Sequence, residues 1–246
     1  MADKAGKRAM ILAAGLGTRL RPLTLTTPKP LVPVAGRPMI DYLIDLLKAD
    51  GIDHVVVNVH HLADQMEAHL APLMPWVTIS DERERLLDSG GGVVKAAHLL
   101  GAAPVLLINA DSFWLEPADA GESNIARLWS AFDPDTMDML MLLAEPGQST
   151  GHEKAGGDFV VRSDGRLSRY REGLADPLIY CGAMILHPRL LQDAPREPFS
   201  LNRFFDAAIA AGRLHGIRLN GHWLTVGTPE AIGAAEAAIA DFSVTR

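Results

Sequence analysis

The 246-residue chain predicts an α/β fold, a doubly wound and mostly parallel sheet with a partly antiparallel extension in its C-terminal part. Three observations lead there. Short, almost unbroken apolar runs recur along the first part of the chain, and stretches with helical apolar spacing fall between them. After about residue 150 the rhythm changes to shorter runs divided by a hairpin signal.

The runs Ala9–Ala13, His54–Val59, Trp76–Ile79, Val105–Ile108 and Met139–Leu143 read as strands covered on both faces, because a half-exposed strand would alternate. Between them, Met39–Lys48 sets Ile40, Leu43, Ile44 and Leu47 on one helical stripe. Gly91–Leu100 does the same with Val93, Val94, Ala97 and Leu100. Further on, Asp158–Arg162 and Leu167–Tyr170 flank Ser163-Asp-Gly165, an Asp-Gly hairpin turn. Leu178–Leu186 is another strand, followed by a helix with Leu201, Phe204, Phe205 and Ala208 on one face, then short strands at Leu214–Leu219 and Trp223–Val226. A last helix begins at Pro229 behind Thr228 as N-cap and aligns Ile232, Ala235, Ile239 and Phe242. No repeat, low-complexity tract or linker interrupts this order, so residues 1–246 are expected to form one unit with halves at about 1–150 and about 151–246.

Composition narrows the function. A net charge of −7 repels a nucleic-acid backbone, so any phosphate must be held in a local basic pocket. The single cysteine, Cys181, excludes an intrachain disulfide and a Cys-cluster metal site; in its apolar strand it reads as a buried, inert thiol. Lys4, Lys7 and Arg8 ahead of Ala9–Leu16 imitate an export signal, but two glycines break the apolar stretch and Thr18-Arg-Leu-Arg21 follows where a cleavage site should lie. Met139–Ala144 is far short of the roughly 20 residues that span a bilayer, and a cytoplasmic location is expected.

The segment from Leu12 to Pro38 holds the chemistry. It follows the first strand directly, Gly15 and Gly17 free its backbone N–H groups for an anion, and Arg19, Arg21 and Lys29 concentrate positive charge in an acidic chain. Prolines 22, 28, 30, 33 and 38 stiffen it, as befits a functional loop. It is neither of the two common phosphate loops: G-x-G-x-x-G fails at Leu20, and G-x-x-x-x-G-K-[ST] is absent. Asp111, just beyond Val105–Ile108, falls at the carboxyl edge of the sheet, where ligands of such folds sit. His60 and His61 are read as loop residues without a catalytic role, and Gly151–Gly157 as a flap or a plain surface loop.

Leu12-Ala-Ala-Gly-Leu-Gly-Thr-Arg-Leu-Arg-Pro-Leu-Thr24, with Pro28-Lys-Pro-Leu31 and Pro33 behind it, resembles the signature of sugar-1-phosphate nucleotidyltransferases. The likeness continues through Asn109-Ala-Asp111 to Val226-Gly-Thr-Pro-Glu230 and so extends over nearly the whole chain. It implies a Rossmann-like nucleotidyltransferase fold and transfer of a nucleotidyl group from a nucleoside triphosphate to a sugar 1-phosphate, assisted by Mg²⁺. Chemically that needs no activated Ser, Cys or His, because the attacking phosphate oxygen is already ionised; it needs alignment, positive charge and a metal.

By the same resemblance Ala13, Ala14, Gly15, Gly17, Thr18 and Arg19 contact the nucleotide, Arg19 holds the leaving pyrophosphate, Lys29 bridges the reacting phosphates, and Asp111 holds the metal. Relatives usually place a second metal-binding Asp two residues before the Gly of V-G-T-P; Thr225 stands there. Leu87-Asp-Ser-Gly-Gly-Gly92 opens a helix with three glycines, and Gly90 and Gly91 are the implied base contacts. Its form resembles the branch that transfers UMP from UTP to N-acetylmuramate α-1-phosphate in peptidoglycan recycling, with mannose-1-phosphate guanylyltransferases as the alternative. The Glu-Lys-Pro stretch common near the sugar is missing, and Tyr170-Arg-Glu172 lies in its place; Asn109, Gly157, Asp158, Glu172, Tyr180 and Asn202 are the sugar-side candidates. Thr225 leaves open a non-catalytic nucleotide-sugar-binding subunit, and a phosphocholine-type cytidylyltransferase is a more distant reading. Partners are therefore a nucleoside triphosphate and a sugar 1-phosphate, with a monomer or small homo-oligomer expected and no nucleic acid or membrane.

Overall fold

A computed structural model describes residues 6–152 and 156–244. Lys4 and the middle of the Gly151–Gly157 segment lie outside the described residues. Seven strands form the central sheet: β1 (Arg8–Leu12), β2 (His54–Val59), β3 (Val77–Asp81), β4 (Val105–Asn109), β5 (Met139–Ala144), β6 (Ile179–Leu186) and β7 (Leu214–Arg218). Their order across the sheet is β7-β5-β6-β4-β1-β2-β3. Neighbours run parallel except at β6, which is antiparallel to β4 on one side and to β5 on the other.

Among the described residues six α-helices cover both faces: α1 (Met39–Ala49), α2 (Ala63–Leu70), α3 (Asp88–Leu100), α4 (Asn124–Ala131), α5 (Asn202–Ala210) and α6 (Pro229–Val244). The pleat sorts the apolar strands between two cores. Ile11, Val55, Val57, Leu106 and Ile108 pack with α1, α2 and α4. Met10, Val56, Leu107 and Met184 face the other way, onto Val93 and Ala96 of α3 and Phe204 and Phe205 of α5. That is why the strands lack alternation: water reaches neither face. No described helix is long and apolar enough to cross a membrane.

The antiparallel part differs from the sequence expectation in one respect. Leu178–Leu186 and Leu214–Leu219 read as parts of a C-terminal extension, yet both enter the central sheet as β6 and β7. Strand order is a tertiary property that local pattern does not encode. What stands apart is the hairpin Phe159–Val161 with Leu167–Arg169, and a small sheet in which His222–Thr225 pairs with Ser112–Leu115 and Ser149–Thr150. This small sheet brings Thr225 opposite Ser112, the neighbour of Asp111. Within β6 the register shifts between Tyr180 and Met184 around Gly182, whose φ is +73°. A Cβ there would lie 3.0 Å from the Asn109 side-chain nitrogen, so glycine at this bulge makes room for Asn109 at the carboxyl end of β4.

Candidate active site

After Leu12 the chain leaves β1, and the Ala13 N–H donates to Asn58 Oδ1 of β2 at 2.7 Å. The Asn58 amide donates to Glu82 Oε1 at 2.8 Å, and Glu82 Oε2 accepts the Leu87 N–H at 3.1 Å. Glu82 has no solvent exposure. One buried carboxylate thus ties the beginning of the loop to the head of α3. A Cβ on Gly92 would intrude on this knot, 2.7 Å from Glu82 Oε1 and 2.9 Å from the Asn58 amide.

The loop then folds through three short 3-10 turns, Thr18–Leu20, Leu23–Leu25 and Lys29–Leu31. Gly17 sits at φ +61°, where a Cβ would strike Thr24 at 2.8 Å, and Thr24 Oγ1 donates to the Gly17 carbonyl at 2.8 Å. His61 bonds the Thr24 carbonyl and His60 the Glu82 carbonyl, each at 2.7 Å. The two histidines are ties that hold the loop and its base.

Between this loop and the carboxyl ends of β1, β2 and β4 lies a cavity of about 630 Å³. Ala13, Ala14, Gly15, Gly17 and Thr18 line it, as do Arg19, Lys29, Asn109 and Asp111. Lys29 Nζ is 2.5 Å from Asp111 Oδ2, with side-chain exposures of 13% and 29%, so the pair is shielded but reachable. The Val226 N–H donates to the Asp111 carbonyl at 3.0 Å, drawing the Val226–Glu230 segment onto the site. There Gly227 lies under Arg19: a Cβ would meet its guanidinium at 3.0–3.1 Å. The Ser112 hydroxyl is 3.3 Å from Asp111 Oδ1 and 3.4 Å from Thr225 Oγ1.

These donors suit a hard cation in one particular way. Asp111 offers a carboxylate with the Ser112 hydroxyl beside it and the Thr225 hydroxyl near its main-chain carbonyl, and no three His, Cys, Asp or Glu side chains gather as a metal cage among the described residues. Mg²⁺ commonly accepts such a setting, taking one or two carboxylates and completing its shell with substrate phosphates and water.

The glycines at the head of α3 stand differently. The Gly90 and Gly91 N–H groups both donate to the Phe199 carbonyl, at 2.8 and 3.2 Å, and neither glycine lines the cavity. Glycine is required there by close packing on Phe199 and the Glu197 carbonyl. Asp88 and Ser89, one step earlier, do line it.

Of the sugar-side candidates only Asn109 lines the cavity. Gly157 is packed against the Leu178 backbone, and Asp158 Oδ2 accepts the Tyr180 N–H at 3.1 Å. Asn202 Oδ1 accepts from Arg169 at 2.8 Å, at the exposed start of α5, and Glu172 is exposed. Tyr180 has a distinct environment. Its buried hydroxyl has no hydrogen-bond partner among the described residues. Burial pushes the phenol pKa up, with Cys181 and the Asp111 carboxylate adding to the effect.

Sequence reasoning missed Asn58, Asp88, Ser89, Pro198 and Gly227, all of which line the cavity. Asn58 had a signal, a lone amide in the apolar run His54–Val59; Pro198 had none, since it arrives from a distant segment.

The cavity offers loop backbone and the cationic side chains of Arg19 and Lys29 to several phosphates, and the Asp111 carboxylate to a hard cation. That combination defines a phosphate-transfer enzyme of the nucleotide-binding α/β class. Comparison with known proteins agrees. The family model described as nucleotidyl transferase matches residues 8–121. The chain is 44% identical over 245 residues to N-acetylmuramate alpha-1-phosphate uridylyltransferase of Caulobacter vibrioides, covering 97% of this chain and 99% of that one. It is 30% identical over 235 residues to mannose-1-phosphate guanyltransferase of Hypocrea jecorina, covering 91% of this chain and 61% of that one. The fold matches the crystal structure of HddC from Yersinia pseudotuberculosis complexed with GMP-PN, with a TM-score of 0.75, 21% identity, and coverage of 95% and 99%. The chain belongs to the sugar-1-phosphate nucleotidyltransferase family.

Proposed function

We propose that this enzyme transfers UMP from UTP to N-acetylmuramate α-1-phosphate, with Mg²⁺, giving UDP-N-acetylmuramate and pyrophosphate. The observation that supports it best is the juxtaposition of the Gly15–Arg19 loop, Lys29 and Asp111 around one cavity in a chain 44% identical to a uridylyltransferase of that specificity. The lower identity to the guanyltransferase favours uracil over guanine.

In this reading a sugar-phosphate oxygen attacks the α-phosphorus in line, the new P–O bond forms as the α–β bridging bond breaks, and pyrophosphate leaves with the electron pair. The loop from Ala13 to Thr18 turns its backbone toward the triphosphate. Arg19, seated on Gly227, faces the departing pyrophosphate and offsets its growing charge. Lys29 lies between the α-phosphate and the sugar phosphate, lowering the repulsion between two anions that must approach. Asp111, with Lys29 on one carboxylate oxygen and the Ser112 hydroxyl near the other, would hold Mg²⁺, which would neutralise phosphate charge as a Lewis acid. Asn109, which lines the cavity, faces the sugar phosphate, and the buried Tyr180 hydroxyl, unpartnered among the described residues, is proposed to reach it when the ligand is bound. Glu172 and Asn202, both exposed, are weaker members of that set.

The test is pyrophosphate release with Mg²⁺, crossing nucleoside triphosphates against N-acetylmuramate, N-acetylglucosamine, glucose and mannose 1-phosphates. UTP with N-acetylmuramate 1-phosphate should stand out, and Asp111→Asn should lower its rate by a factor of about 100 or more. GTP with mannose 1-phosphate as the active pair would keep the mechanism and replace the substrates. Nucleotide-sugar binding without release for any pair would make the chain a binding subunit.

A further inference from the structure

The ion pair at the centre of the cavity bears on how the enzyme acquires its metal. Both oxygens of the Asp111 carboxylate have neighbours within the protein: Lys29 Nζ at 2.5 Å from Oδ2 and the Ser112 hydroxyl at 3.3 Å from Oδ1. The position that would supply a second carboxylate holds Thr225, whose hydroxyl lies 3.4 Å from the Asp111 carbonyl. Arg19 and Asp88, which also line the cavity, cancel in charge, as Lys29 and Asp111 do. The cavity lining therefore carries no net negative charge with which to strip water from a dication, and Mg²⁺ dehydrates reluctantly.

We infer that Lys29 keeps Asp111 closed to divalent metal in the free protein and releases it only when a triphosphate draws the lysine away. The inference rests on the proposed phosphate role of this cavity. Lys29 has a stronger partner when a polyanion enters, and the freed carboxylate then meets a cation already chelated by that polyanion. Thr225 is part of the arrangement: one carboxylate is matched by one lysine, whereas two would leave an excess negative charge and a standing metal site. Metal and nucleotide binding are thereby coupled, and by linkage each strengthens the other to the same degree. Lys29 acts here as a positioning residue, through Asp111.

Mn²⁺ binding followed by the paramagnetic resonance of the free aqueous ion tests this without turnover. Wild-type protein alone should bind Mn²⁺ weakly, and addition of a non-hydrolysable UTP analogue should tighten it beyond the analogue's own chelation. Lys29→Met should bind Mn²⁺ without nucleotide about tenfold tighter than wild type, equivalent to roughly 1.4 kcal/mol. Thr225→Asp should also tighten it, and Lys29→Met combined with Asp111→Asn should return to the wild-type level. Lys29→Gln serves if the Met variant melts early. Equal Mn²⁺ affinity in wild type and both lysine variants, or tight binding to wild type alone, overturns the inference. Failure of the analogue to bind at all strikes the functional reading instead, while the comparison of nucleotide-free variants still decides the role of Lys29.

Discussion

Tyr180 shows how much one side chain can reveal. A buried hydroxyl left unpaired costs about 1–3 kcal/mol, so the fold gains nothing from it. Its retention makes sense if a bound ligand supplies the missing partner. Tyr180→Phe should then melt at the wild-type temperature or slightly above, while KM for the sugar phosphate rises about five- to tenfold and KM for UTP stays unchanged. A drop in melting temperature with unaltered KM would assign the hydroxyl to structure. The family resemblance singled out Tyr180, Arg19, Lys29 and Asp111, the last three in a cationic loop and at a sheet edge that the residues themselves suggested, but not what each touches. The Lys29–Asp111 pair joins positions 82 residues apart, and no sequence pattern announces such a meeting.

Among the elements, the loop after β1 was the most legible, because its glycines, prolines and cations act within one short segment. The head of α3 was legible only in part. Its glycines suggest an open surface for a base, whereas Gly90 packs on Phe199, Gly91 on the Glu197 carbonyl and Leu87, and Gly92 on the Glu82–Asn58 knot. Glycine signals close approach in either case, and only the tertiary structure says to what. Gly92→Ala should therefore destabilise the protein by about 1–3 kcal/mol through overpacking and weaken nucleotide binding, since Ala13 and Leu87 hang on the same knot. Gly233 in α6 is the internal contrast. Nothing lies within 4 Å of a Cβ there, so Gly233→Ala should raise stability by about 0.5–1 kcal/mol from helix propensity alone. Urea melts of the two variants check both signs.

Across the whole molecule, acid should weaken the fold before carboxylates are titrated. Desolvation holds the pKa values of His54, His187, His215 and His222 below the ordinary value near 6.5. The unfolded chain therefore takes up protons at these sites first, and stability falls as pH drops below about 6.5. Asp50, raised by burial, works in the opposite direction: its cost to the fold at neutral pH is relieved on acidification. With four groups against one, the melting temperature should decline from pH 7.5 to pH 5.5; a flat or rising profile would contradict this balance. The α/β class and most strands were readable because both faces of the sheet are buried and the apolar runs therefore unbroken. The place of β6 was not, since antiparallel insertion leaves no mark on a strand covered on both sides.

That insertion has a consequence for synthesis. As the chain emerges from the ribosome, β1 to β4 can assemble first, and β4 is then left with an open edge of unpaired backbone groups. Strand β5 emerges next but cannot close it, because in the finished sheet β5 pairs only with β6 and β7. The growing protein must hold β5 aside until residue 186 is released and β6 slides between the two. Asp111 lies just past that waiting edge, so the site is incomplete until Val226 has been made and closes over its carbonyl.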